Sequence, residues 1–468
     1  MSAAIESPAP APAARPRPEF LGHPRGLAYI ALTEAWERFS FYGMQALLML
    51  YMTGHLLEPG TLERVVGLSS LRAGLESVLG TLSIQELAST LFGLYVALVY
   101  FTPVAGGLVG DRLTGRRRAV LLGAVLMSIG HFLLAFDATF LPGLAALIVG
   151  SGLLKGNLAA QVGNLYARDD SRRDGAYTVY VTAINVGAFV APLVCGTLGE
   201  LYSWHYGFGA AGIGMLLGIA IYLSGSRYLP PEQIMGQRQK APPLQPGDGR
   251  ALVAIFVVLA ITSLFWTAQA QVWNVYPLWL RDHVDRSAFG GTVPVTWFQS
   301  LDSLTVLLLA PLVVIYWQSQ AKRAAEPGDL SKIALGCGFF VVAYVLLTAG
   351  QLTAHDGQAG LGWAVAFHFF TALSYLYAAP VALALVTRAA PPSVNGMIAG
   401  AYYLGLFVGG ILSGRLARFY EPLGPAAFWG MHALVAGSGT ALLLLLRRPL
   451  LRALRLTHVK VERRHNVL

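Results

Sequence analysis

Apolar stretches of about twenty residues recur along almost the whole chain, and this recurrence constrains the fold more than any other feature. A helix needs about 20 apolar residues to cross the hydrocarbon core of a bilayer. Twelve such stretches are read at 27–53, 87–109, 119–136, 142–166, 175–199, 206–229, 251–279, 294–318, 331–352, 360–387, 395–414 and 425–446. Little charge remains for a water-facing surface: 12 % of the 468 residues are Asp, Glu, Lys or Arg. Soluble domains carry roughly a quarter. A soluble enzyme and a disordered chain are both excluded, and an all-α polytopic membrane protein with 12 transmembrane helices is expected.

The positions of the charges set the orientation. Loops and ends on the side of the N-terminus, among them DRLTGRRR, ARDDSRR, QAKR and the C-terminal RRPLLRALRLTHVKVERRH, hold 25 of the 33 Lys and Arg. Positive charge marks the cytosolic side, so both termini are placed there. The expected division is a disordered cytosolic arm (1–25), a six-helix bundle (26–229), a Pro-rich cytosolic linker (230–250), a second six-helix bundle (251–446) and a basic tail (447–468). Two six-helix halves joined by a cytosolic linker suggest a transporter with its site at the midplane. Between the first two spans, 55–85 reads as a helical excursion on the outer surface.

A charge at the bilayer centre costs about 2.5–3.5 kcal/mol on insertion scales, so the few charges inside the spans are functional candidates. The first span carries Glu34, Glu37 and Arg38 in TEAWERFSFYG. At about 100° per residue these three share one face within roughly 100° of arc. Two carboxylates around one guanidinium leave one negative charge, which a proton can neutralise. Lys155 in the fourth span is too deep to snorkel and needs a carboxylate or an anionic ligand. Asp302 lies a turn or two into the eighth span. Three acids and two bases sum to −1, as a proton-coupled cycle requires, and Asp302 is a candidate partner for Lys155.

Asn185, Gln269, Gln271 and Asn274 read equally well as helix–helix glue or as ligand contacts. His131 and His368 read as satisfied core histidines, since no second ligand stands at metal spacing. The two cysteines, Cys195 and Cys337, both lie in apolar spans and support neither a disulfide framework nor a zinc site. No catalytic constellation, metal set or nucleic-acid motif is present. Protons aside, no cofactor is expected; the partners expected are a small-molecule substrate and the lipid bilayer, and the chain is read as a monomer.

GGLVGDRLTGRRR resembles the loop signature of the major facilitator superfamily. TEAWERFSFYGMQALLMLYM resembles the first-helix signature of the proton-dependent oligopeptide transporter (POT) family, and GSGLLKGNLAAQVGNLY through VTAINVGAFVAPLVCGTLGE resembles its fourth and fifth helices. The likeness continues through VPVTWFQSLDSLTVLLLAP and AAPVALALVTRAAP, over nearly the whole chain after residue 25. The resemblance implies a twelve-helix major facilitator fold with alternating access and proton-driven import of di- and tripeptides. It implies proton coupling by Glu34, Glu37, Arg38 and Lys155, and substrate contacts from Arg38, Tyr42, Tyr95, Lys155, Asn185 and Tyr402. Asp111, Arg112 and Arg116 fall in the loop signature and are read as a gating hinge.

The departures from the family pattern concern charge. Gln45 stands where the family has Arg, and Ala270 stands where it has an acid before Gln271; these two positions form the family's outward gate pair. Losing both partners is close to neutral where losing one would strand a buried charge. Tyr375 stands where the family's tenth helix carries Glu, while Asp302 replaces an Asn in the eighth. The expected pocket therefore adds Gln271, Asp302 and Tyr375, with Asp302 also a candidate for proton coupling. Two functions stay open at this point: a symporter of ordinary di- or tripeptides, and a relative moving a modified peptide, an amino-acid conjugate, a carboxylate or another anion. A non-transporting sensor or an enzyme on the same fold is the remote third. The composition is compatible with a bacterial inner membrane.

Overall fold

The computed structural model describes residues 19–20, 22–167, 170–230, 243–288 and 290–454. Most of the N-terminal arm, the middle of the linker (231–242) and the end of the basic tail (455–468) lie outside the described residues.

Sixteen α-helices are described. In the first half they are α1 (Arg25–Tyr51), α2 (Leu68–Leu79), α3 (Ile84–Val109), α4 (Arg116–Leu134), α5 (Phe140–Asn164), α6 (Arg173–Ala191), α7 (Thr197–Leu201) and α8 (Trp204–Ser224). In the second half they are α9 (Asp248–Gln271), α10 (Tyr276–His283), α11 (Val295–Lys322), α12 (Asp329–Leu352), α13 (Leu361–Ala389), α14 (Asn395–Leu416), α15 (Tyr420–Leu445) and α16 (Arg447–Ala453). Twelve of them are long enough to span. Ten segments also satisfy the apolar requirement, and one of these, Met397–Leu445, holds both α14 and α15. The remaining spanning helix is α1. Glu34, Glu37 and Arg38 lie within five residues of one another near its middle, a charge density that the other spanning segments lack there.

Local chemistry places several helix ends. Ser83 and Glu86 form a reciprocal capping box at the start of α3: Glu86 N–H donates to Ser83 Oγ (3.2 Å) and Ser83 N–H to Glu86 Oε2 (3.0 Å). The expected outer excursion is present as α2. The seventh span is interrupted at 272–275, between α9 and α10, where the sequence reading had one continuous helix. The connections also carry three two-residue β-ladders, a small departure from a purely helical chain.

Helix pairing repeats between the halves. In the first half α1 packs on α6 and α8, α3 on α5, and α4 on α5 and α8; in the second, α9 packs on α14 and α15, α11 on α13, and α12 on α13 and α15. The second helix of each half crosses the fifth of the other, as α3 against α14 and α11 against α6. The α3–α14 crossing is made of small residues, which let helix backbones approach closely. A Cβ on Gly93 would lie 2.6 Å from the Gly410 carbonyl oxygen, and one on Gly414 would lie 2.7 Å from that of Ser89. By the orientation argued above, this crossing is at the external end.

Further links between the halves lie at the same end. The Glu200 carboxylate accepts from Val295 N–H (2.8 Å), Thr296 N–H (2.8 Å) and Thr296 Oγ1 (2.6 Å). Glu200 thus satisfies the orphan donors at the N-terminus of α11, where a negative charge also suits the helix dipole. Trp297 Nε1 donates to Thr197 Oγ1 (2.8 Å), and Arg281 to Thr53 Oγ1 (3.2 Å). Gln45 and Ala270 contribute no ion pair; the external end is held by capping and close helix packing.

Candidate functional site

The helical periodicity of α1 puts Glu34, Glu37 and Arg38 on its inward face, and all three are buried. Arg38 Nε donates to Glu34 Oε1 at 2.8 Å and lies 2.6 Å from Glu37 Oε2. Glu37 has no hydrogen-bond partner on either oxygen among the described residues, and the adjacent Arg38 guanidinium balances its charge by proximity.

One aromatic ring joins this cluster to α5. The Phe41 ring centre is 5.6 Å from the Arg38 guanidinium carbon and 4.0 Å from Lys155 Nζ. Tyr100 faces Lys155 from α3 at 5.1 Å, and Tyr95 stacks on Phe41 with ring centres 6.5 Å apart. Lys155 Nζ is buried without a hydrogen-bond partner among the described residues. Aromatic faces attract a cation but do not neutralise it. Phe41 and Tyr100 were not singled out in the sequence, where an aromatic in an apolar span carries no distinguishing signal.

Asp302 does not pair with Lys155. It sits in the second half, where Thr371 Oγ1 donates to its Oδ1 (3.1 Å) and His368 Nδ1 lies 3.8 Å from the same oxygen. The five charges expected as one set of −1 thus separate. Glu34, Glu37, Arg38 and Lys155 sum to zero on the first half, and Asp302 stands apart with its own negative charge. His368 is fully buried, and neither of its ring nitrogens has a hydrogen-bond partner among the described residues. The same holds for His131, so the reading of both as satisfied core histidines is corrected. Both lie among apolar residues, where the sequence holds no indication of a missing partner.

The other expected positions divide between open and locked side chains. Tyr42 packs against Trp273 of the other half with ring centres 5.2 Å apart. Asn185 is partly exposed, and its Nδ2 donates to Val181 O one turn back (2.9 Å). Tyr375, on α13, is 37 % exposed. Tyr402 is buried, and its hydroxyl donates to the Ala379 carbonyl (2.9 Å). Gln271 is fully buried; its Nε2 donates to Ser413 O (3.1 Å) and lies 3.0 Å from His432 Nε2. Its amide donors serve the packing of α9 on α14 and α15. In the loop signature, Arg116 Nε donates to Asp111 Oδ1 (2.9 Å) across a turn completed by Gly115 (φ +80°), and Arg112 is exposed. Asn157 anchors the α3 end beside that loop by donating to Gly106 O (2.9 Å).

Comparison with known proteins places this geometry. Residues 117–241 and 244–423 match the model of the POT family. The chain is 29 % identical to the peptide transporter YePEPT of Yersinia enterocolitica, over 85 % of this chain and 88 % of that one. It is 27 % identical to a di-/tripeptide transporter of Lactococcus lactis subsp. cremoris, over 92 % and 97 %. Its structure is similar to a crystal structure of a mutant of the peptide transporter POT in complex with alafosfalin, with a TM-score of 0.83 at 26 % identity over 94 % of this chain and 97 % of that one.

Proposed function

The chain belongs to the POT family of transporters, and on that basis we propose that it is a proton-coupled symporter importing di- or tripeptides or peptide-like solutes by alternating access. The observation that carries this reading is the buried group around Phe41, with Glu34, Glu37 and Arg38 on one side and an unpaired Lys155 on the other. Lys155 and Arg38 take the negative end of the solute. When that end draws on Arg38, the guanidinium no longer balances both glutamates. A proton on Glu34 or Glu37 then keeps the buried charge at zero, because uncompensated charge is costly in the membrane interior. Solute and proton therefore enter the same state together. Asp302 and the partly exposed Tyr375 face the solute from the second half, and Asn185 and Tyr42 from the first.

Alternating access then breaks the external contacts of α3 with α14 and α6 with α11. Glycine crossings and a single capping carboxylate can separate without stranding a buried ion pair. The two halves move as 26–229 and 251–446, with the Asp111–Arg116 loop as hinge. The site of action is a bacterial inner membrane, where the chain acts as a monomer.

Uptake of labelled dialanine into liposomes holding the purified protein tests this reading. An inward proton gradient should drive accumulation, and a protonophore should abolish it. Glu34→Gln and Glu37→Gln should lose gradient-driven accumulation while retaining counterflow exchange. Accumulation that ignores the gradient, or that survives in both variants, would refute the coupling role. A second reading, import of a modified peptide or conjugate, is favoured by Tyr375 standing where the family has Glu. It predicts no dialanine uptake but a gradient-dependent response to such a solute.

A further inference from the structure

His55, Asp137 and His205 converge at the external end of the first half, beyond the end of the helix that carries Phe41. Each offers a ligand atom, and the three atoms lie within 4.8 Å of one another. His55 Nε2 and Asp137 Oδ2 are 3.0 Å apart, and the two imidazole rings meet edge to face with centres 6.4 Å apart. Ligands about 2.0–2.1 Å from a tetrahedral Zn²⁺ stand roughly 3.3 Å from one another. The three side chains therefore need little movement to close on an ion.

Three separate segments supply them. His55 lies in the wide turn Met52–Leu56 that ends α1, Asp137 in the turn Asp137–Thr139 between α4 and α5, and His205 at the start of α8. The surroundings hold these side chains in place. Tyr51 donates its hydroxyl to the other carboxylate oxygen, Asp137 Oδ1 (2.6 Å), which leaves Oδ2 as the single ligand oxygen. The Tyr51 ring is itself packed among Phe140, Trp204 and Phe208. A group that hydrogen-bonds and orients a ligating carboxylate, as the Tyr51 hydroxyl does here, is a usual second layer of a metal centre. His205 Nδ1 is buried and has no hydrogen-bond partner among the described residues. A simple Tyr51–Asp137–His55 hydrogen-bond chain gives His205 no role; an ion would. The side chains of His55 and Asp137 are 35 % and 28 % exposed, so an ion can arrive from the external medium and keep a water ligand.

We propose that His55, Asp137 and His205 form an external binding site for a divalent transition metal, with Zn²⁺ as the best fit. Two imidazoles and one carboxylate suit Zn²⁺, Cu²⁺ or Ni²⁺ and are poor for Ca²⁺ or Mg²⁺, which require mostly oxygen ligands. The site also adjoins the external closure: Thr53, two residues before His55, accepts from Arg281 of the second half (3.2 Å). A bound ion would stiffen the end of α1 that carries this contact.

The test is calorimetric titration of Zn²⁺ alone into the full chain in detergent, freed of affinity tags and stripped with chelator. Saturable one-to-one binding is expected in the wild type, with none to Mg²⁺ or Ca²⁺. His205→Ala should abolish it, and Tyr51→Phe should weaken it by roughly tenfold through the Asp137 orientation. Asp137→Asn also alters the His55 contact and can perturb folding; His205→Ala, whose Nδ1 makes no such bond, decides the question. Absence of Zn²⁺ binding in the wild type, equal binding of Ca²⁺, or unchanged Zn²⁺ binding in His205→Ala would each overturn the assignment.

Discussion

The Lys155 ammonium lies 4.0 Å from the centre of the Phe41 ring and has no hydrogen-bond partner among the described residues. The ring also touches Arg38, so one aromatic side chain separates two buried cations and screens neither completely. A buried cation–π contact contributes about 0.5–2 kcal/mol. Phe41→Leu keeps most of the volume but loses the ring face. It should reduce uptake at low substrate concentration by about two- to thirtyfold, whereas Lys155→Met should abolish binding of carboxylate-bearing substrate. Initial rates across a substrate series measure both, and a wild-type KM in Phe41→Leu would refute the holding role of the ring.

Asp302 contacts Thr371 and neighbours His368, not Lys155. Its carboxylate is therefore free of any cation on the first half, as a contact for a substrate amine requires. Asp302→Asn preserves size and still accepts from Thr371. Affinity for dialanine should fall about tenfold or more, the usual weight of a hydrogen bond to a charged group, with little change for an N-acetylated analogue. Competition binding with the two ligands measures the difference. Equal loss for both, or no loss for either, would remove Asp302 from amine recognition.

Glu200 caps α11 across the boundary between the halves, with three bonds of 2.6–2.8 Å. Removing a helix cap costs about 0.5–2 kcal/mol, here from the externally closed state alone. Glu200→Ala should shift the population outward by about two- to thirtyfold. The readout is labelling of a cysteine introduced near Gly93 by a membrane-impermeant reagent added outside. Cys195 and Cys337 are buried and form no disulfide, so they add little background. Labelling no faster than in the parent would show that Glu200 does not hold the closure.

The α1 charge face was legible because helical periodicity is a local property: residues three and four apart share a side whatever packs against it. The partner of Lys155 was not legible. A buried lysine leads one to search for a carboxylate, and the chain instead supplies Phe41 and Tyr100, which look like ordinary span residues. Gln271 shows the same limit, since a polar group inside a span signals equally well a ligand contact or the interhelical bridge to Ser413 and His432. The family resemblance marked the missing pair at Gln45 and Ala270, but not that Glu200 and the Gly93–Gly410 approach hold that end.

By itself, the sequence determined the membrane-spanning class, the orientation from its Lys and Arg, the two sixfold sets of spans, and the charged face of α1. These depend on hydropathy and on spacing within single helices. Only the tertiary structure decided that Asp302 belongs with His368 and Thr371, that Lys155 rests on aromatic faces, and that His55, Asp137 and His205 meet. Each of those contacts joins helices or turns more than 50 residues apart in the chain, among them Asp302 with Thr371 (69 apart) and His55 with Asp137 (82 apart). Contacts of that range are set by how helices pack, and hydropathy patterns carry no record of them.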